Sequence, residues 1–330
     1  MAAVLLAVPA SANAAAPTAR ELPGLPGSTS AEATAVNDLG TAVGYSVDAN
    51  YDSVAVKWSP SGAVTDLGTL PGDTYSEALG INNLGQIAGY SGSDDTGVQH
   101  AVEWNAKGVI TDLGASEADG INDFGEVVGF ENTAPREVDA VRWHTGVVDD
   151  YGASESDAIG DTYANAVNDL GQIVGADFVI HGDGSREAVR WNADGSYLQL
   201  PFLVVARGAD SGANAINNLG VTVGNSPTAT PGQTHAVRWD QHGTVTDLGT
   251  APGGTDSAAN GINDLGVVVG SSDDANAIGH AVSWSRTGAL RELPDLSGGS
   301  NSEALAVSGT GFIVGDGYDA AGKQVAIVWR

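Results

Sequence analysis

Four glutamates occupy one recurring slot of this sequence: Glu32, Glu77, Glu117 and Glu303. The same slot holds Tyr163, Gly212 and Ala258 elsewhere. Carboxylates gathered in one place repel each other, which raises at least one pKa or recruits a cation. The chemistry on offer is therefore binding of cations or cationic sugars. Alternatively, two convergent carboxyls act as acid and base on a polysaccharide. Solvated acids copied from repeat to repeat would look the same, since exposed acids are ordinary. A second acidic group, Asp48, Asn50 and Asp52, places alternate oxygen ligands like the start of a Ca²⁺ loop, but lacks the turn glycine and the distal bidentate Glu of an EF-hand.

Other reactive types are spread out. His100, His235 and His280 share one position but fall in the second, fifth and sixth repeats, so no single metal site collects them, and hydrogen bonds to nearby loops are expected. Arg142, Arg190 and Arg238 each precede a Trp. With Asp112, Asp149, Asp150 and Asp247 they suggest ion pairs between neighbouring strands. There is no Cys, which removes disulfides, thiolate metal sites and a Cys nucleophile. No G-x-S-x-G, H-E-x-x-H, Walker loop or dinucleotide fingerprint occurs.

The elements that must position these residues come from a repeat of about 40–50 residues. All seven Trp fall in one slot: Trp58, Trp104, Trp143, Trp191, Trp239, Trp284 and Trp329. Val or Ile stands two residues before each and Ala three before, a strand with one large apolar face. Recurrence in every unit marks the Trp as core. Upstream lies a block such as ADGINDFGEVVG at 118–129. Its Asn slot holds Asn37, Asn82, Asn122, Asn168, Asn217 and Asn263, then Ser308. An invariant Gly follows (Gly40 to Gly311), and a second (Gly44 to Gly315). This reads as a hairpin in which Asn opens the turn and the first Gly takes the left-handed conformation.

Each unit is thus four short antiparallel strands, A to D. The expected fold is all-β: a seven-bladed β-propeller of four-stranded antiparallel blades. The last unit stops at strand C, and ARELPGL at 19–25 matches LRELPDL at 290–296, a D strand. The N-terminal strand should therefore pair with the C-terminal blade and close the ring, removing the open edges. Units four and five depart most, at 176–187 and in LPFLVVARGADS.

The formal net charge is −28, from 13 Lys plus Arg against 41 Asp plus Glu. Such a chain repels nucleic acid and anionic lipid, and no apolar run approaches a membrane span. Residues 1–14 combine an apolar stretch with an A-x-A pattern ending at Ala14, the form of a cleaved signal peptide, although no Lys or Arg precedes the stretch. Residues 15–330 are expected to form a single extracellular domain, monomeric.

The units resemble the bacterial extracellular HAF repeats. The likeness rests on the AxxINxxGxVVG block, on HAVEW, HAVRW and HAVSW at 100, 235 and 280, and on DLGTLPG at 66–72. Val stands here where the family's name motif has an aromatic. The resemblance implies secretion and a repeat architecture. It implies no established catalytic activity and no functional residue. The expected role is a secreted binding or scaffolding propeller for a carbohydrate or a cell-surface protein. A secreted polysaccharide hydrolase or lyase is the first alternative, and a purely structural surface protein the second. The longer, variable D–A and B–C loops are where a ligand site is expected, with the four glutamates at the channel mouth they surround.

Overall fold

A computed structural model of the chain describes residues 17–134, 137–152, 161–178, 185–204 and 210–330. The expected signal peptide lies outside them, as do parts of the divergent loops of units four and five.

Seven four-stranded antiparallel blades form a ring. Blade 1 consists of Ser30–Val36, Ala42–Val47, Ser53–Trp58 and Val64–Asp66, from the channel outward. Blade 7 takes three strands from the C-terminal end and its fourth from the start. Ala19–Leu22 pairs antiparallel with Gln324–Trp329, in the register Ala19 to Trp329 and Leu22 to Ala326. The expected closure is present, and Leu22 buries itself in the same apolar cluster as Trp58 and Val328. One junction departs from the repeat. Ile110–Ile121 runs unbroken from the outer edge of blade 2 to the inner edge of blade 3, because no GTLPG-like loop separates the two strands there.

The core lies between blades. Every Trp of the repeat is buried, five of them fully. The indole N–H of Trp58, Trp104, Trp239 and Trp329 donates to a carbonyl of the preceding D–A segment: Pro23, Leu67, Pro201 and Pro294 respectively. One side chain thus fills the gap between blades and fixes the linker over it.

Two features of the inner strand shape the channel. Each A strand carries a β-bulge, as between Ala33 and Ala35 or between Ala78 and Gly80. The extra residue (Thr34, Leu79, Asp119, Asn165, Asn214, Asn260 or Leu305) is left out of the ladder. The bulge also explains the second invariant glycine. A Cβ on Gly44 would lie 2.0 Å from the Glu32 carbonyl oxygen, and one on Gly89 equally close to that of Glu77. The first invariant glycine is left-handed as expected, with φ between 70° at Gly171 and 87° at Gly311.

The Asn slot does more than open a turn. In blade 1 the Asn37 Oδ1 accepts the N–H of Leu39 and of Thr41, while its Nδ2 donates to the Asn82 carbonyl in the next blade. The pattern repeats through Asn82, Asn122, Asn168, Asn217 and Asn263. Six buried amides therefore stitch seven blades. Ser308 has no amide to pass on, but a second ring continues past it: the Asp38 carboxylate accepts the Gly309 N–H at 2.6 Å, just as Asn83 accepts that of Asp38.

Candidate functional site: the acidic tier of the inner strands

The A strands form the inner edges of the blades, so one slot on strand A recurs at one height around the ring, and its side chains reach toward the preceding blade, Glu117 to Gln99 and Glu303 to Asn260 and Ser271. The tier nearest the D–A and B–C loops is the glutamate slot. Blade 7 adjoins blade 1, so Glu303, Glu32, Glu77 and Glu117 come from four consecutive blades. All four are half-buried. Glu32 feels the charges of Glu77 and Glu303, and Glu77 that of Glu117. The structure thus brings the four predicted residues together on one side of the ring.

Antiparallel register sets what backs them. The residue after the second invariant glycine on strand B faces the glutamate slot: Tyr45 opposite Glu32, Tyr90 opposite Glu77, Asp316 opposite Glu303. The Tyr45 hydroxyl donates to Glu32 Oε2 at 2.7 Å. Amides supply further donors. Gln99 reaches Glu117 at 2.8 Å, Asn260 reaches Glu303 at 2.6 Å and Gln324 reaches Asp316 at 2.8 Å.

Burial pushes the Glu32 carboxyl above the ordinary glutamate range. The Tyr45 hydrogen bond opposes this, and the neighbouring glutamates add to it. Glu77 rises for the same reasons, with Tyr90 and Ser53 opposing. Asp316 is pushed up to about 6 by burial, against its bond from Gln324, with Glu32 and Glu303 raising it further. Burial and the adjacent carboxylates push the Tyr45 and Tyr90 phenols upward, which keeps both as donors. Among the described residues, no Lys, Arg or His forms an ion pair with any of these acids.

Deeper in the channel, the bulged residues line a cavity of about 270 Å³. Thr34, Asn165, Asn214 and Asn260 each donate to an alanine carbonyl of the next blade. Asp119 instead meets Glu117. Burial first, then the Glu117 charge and the hydrogen bond between the two carboxyls, raise its pKa well above the ordinary value, and burial raises that of Glu117 too.

The remaining predicted residues lie elsewhere. Asp48 Oδ1 accepts the backbone N–H of Asn50 at 2.7 Å and of Asp52 at 3.2 Å, and the Asn50 amide donates to Asp48 Oδ2. These three residues form a self-capped hairpin turn. Asp274 and Asp319 close the same turn in blades 6 and 7. Among the described residues, no cluster of three or more His, Asp or Glu has the geometry to hold a metal ion.

His100 and His235 lie beside Asp112 and Asp247 of their own D strands, and His280 beside Asp274 and Asp295. Of the three arginines, only Arg142 makes the expected cross-strand pair, with Asp149 at 2.6 Å. Arg190 and Arg238 instead donate to turn carbonyls of the following blade, Gly220 and Gln241 for the first and Arg286 for the second. Register decides this: Asp149 lies directly opposite Arg142, whereas Leu198 and Thr246 lie opposite Arg190 and Arg238, and Asp247 sits opposite Val237 on the other face.

The sequence marks Asp316 only as an acid of a B–C loop, whereas it lies on strand B, and it does not single out Tyr45 or Tyr90, although the signal for all three was present. Each follows the invariant glycine that register places beside the glutamate slot.

No protein-family model matches the chain, and no curated protein does. Solved structures do. A streptogramin B lyase is similar with a TM-score of 0.59 at 10% identity, covering 95% of this chain and 97% of the lyase. TolB from Acinetobacter baumannii gives 0.53 at 14% identity, over 78% of this chain and 65% of that one. The BP39L lectin from Burkholderia pseudomallei gives 0.50 at 12%, over 90% and 98%. The chain is a seven-bladed β-propeller. At such identities the likeness carries the fold and nothing of the site.

Proposed function

We propose that this chain is an exported binding propeller of the HAF-repeat type whose ligand site is the mouth formed by Glu32, Glu77, Glu117 and Glu303. Its ligand is a carbohydrate bearing ammonium groups, free or displayed on a cell surface. One observation carries this reading: four half-buried carboxylates on consecutive blades, with phenol and amide donors behind them, have no cation of the protein's own among the described residues. Ammonium groups would relieve their mutual repulsion, and Tyr45, Tyr90 and Gln99 are placed to engage hydroxyls. Steering by the charge of −28 favours the same ligands.

The alternative is a polysaccharide hydrolase or lyase, and the Glu117–Asp119 pair is its best support, being two neighbouring carboxyls whose proton affinities burial raises. These two are hydrogen-bonded directly to each other. Glycoside hydrolysis needs a sugar between its carboxyls, at separations of about 5 Å or more. Direct contact therefore favours binding over hydrolysis.

A glycan array spanning amino, neutral and acidic sugars tests the proposal. Retention confined to amino-sugar glycans is expected. Retention of acidic glycans, or of none, contradicts it.

A further inference from the structure

The opposite face, built from the A–B and C–D turns, carries a second feature that the short N-x-x-G hairpins had not suggested. In every one of these turns the residue just before the first Gly is exposed. In six blades it is large and apolar: Leu39, Leu84, Phe124, Leu170, Leu219 and Leu265. These are 54–76% exposed, among the most exposed large apolar side chains of the described residues. Thr310 takes the position in blade 7. Scattered exposed leucines need no explanation, but one on each of six consecutive blades around a common axis forms an apolar collar open only at blade 7. The turn itself needs only Asn and Gly, so its hydrogen bonding does not require an apolar residue there.

Inside the collar the channel opens into a cavity of about 240 Å³. The residue after each ring Asn lines it, and four of these are acidic: Asp38, Asp123, Asp169 and Asp264. Asn83 and Asn218 complete the tier, and their amides already bridge to Asp123, Asp169 and Asp264. None of the four aspartates has an ion pair among the described residues.

We propose that this face docks a partner protein through a Lys or Arg seated in the aspartate-lined mouth, with apolar residues around it resting on the collar. Charge selects this occupant. A second copy would bring two acidic mouths together, and an anionic membrane would meet the same carboxylates. A neutral apolar partner would leave four desolvated carboxylates without a counter-charge.

The test is to pan a random peptide library on the whole protein. Recovered peptides are then measured by fluorescence anisotropy on three proteins: wild type, Leu84→Ser/Phe124→Ser/Leu170→Ser, and Asp123→Asn/Asp169→Asn. The serine substitutions fall on exposed side chains. The asparagines keep the oxygens that accept the neighbouring backbone N–H groups. Melting curves confirm that both variants fold. The expected peptides carry Lys or Arg flanked by apolar residues, bind more weakly as salt rises, and lose at least about tenfold in affinity, or ~1.4 kcal/mol, on either variant.

Acid-rich peptides, or peptides that bind all three proteins alike, overturn the proposal. So does a panning that yields nothing sensitive to the collar. Two further results do the same: a wild-type dimer in sedimentation that the serine variant dissolves, or binding to phosphatidylcholine/phosphatidylglycerol vesicles that the serine variant abolishes.

Discussion

Replacing Asp316 with asparagine should stabilise the protein near neutral pH and do nothing in acid. Its carboxyl sits among Glu32 and Glu303 and is pushed up to about 6 from an ordinary 3.8. The folded state thus holds this proton more tightly than the unfolded chain does. Its contribution to stability is complete below about pH 4 and drains away as pH rises through about 6. A separation of about two pH units corresponds to about 3 kcal/mol, and partial solvent access at the mouth reduces this to about 1–2 kcal/mol. The amide introduced by Asp316→Asn has no charge to bury, and its oxygen still accepts the bond from Gln324. At about 2.1 cal/mol/K per residue over roughly 300 residues, the unfolding entropy is near 0.6 kcal/mol/K, so the variant should melt about 2–3 °C higher at pH 7.5. Scanning calorimetry of both proteins from pH 3.5 to 8 decides the matter. Equal melting at pH 7.5, or a gain that persists undiminished at pH 3.5, would refute the reasoning.

Three further outcomes follow from the fold. Leu22→Ala empties the anchor of the closing strand and should cost about 3 kcal/mol, lowering the melting temperature by roughly 5 °C; a shift within about a degree would mean that Leu22 does not hold the ring closed. Asn217→Ala leaves the backbone N–H groups of Leu219 and Val221 and the Asn263 carbonyl without their partner, at a cost of about 2–3 kcal/mol; an unchanged urea midpoint would show that the amide ring is dispensable. Protein secreted by the parent cell should begin near Ala15 in N-terminal sequencing, and an intact Met1 terminus in the cytoplasm would remove the export proposal.

The repeat makes the architecture legible in the sequence itself. The Val-x-Trp alternation set one buried face per blade, and the stray strand at 19–25 announced the closure that the register of Ala19 and Trp329 displays. The glutamate slot was equally visible, because a periodic fold turns sequence position into height along the channel. Contacts across blades were less legible. The Asn side chain binds its own turn and the next blade's carbonyl at once, and only the first of these is local. The second invariant glycine yields to no propensity argument, since its cause is a bulge on the neighbouring strand. Arg190 and Arg238 went to turn carbonyls because the register sets Leu198 and Thr246, not an acid, opposite them. The collar was overlooked for a related reason: a leucine in a short turn looks ordinary until seven turns share an axis.

The most direct test of the mouth as a ligand site is calorimetric titration of a fully deacetylated glucosamine oligomer into the wild-type protein and into Glu32→Gln/Glu77→Gln/Glu303→Gln, with the N-acetylated oligomer as the neutral control. The wild type should bind the amino form and not the acetylated one, with an affinity that weakens as salt rises, and the triple variant should lose at least about tenfold. Equal binding of the amino oligomer by both proteins, or equal binding of the two oligomers by the wild type, would contradict the assignment.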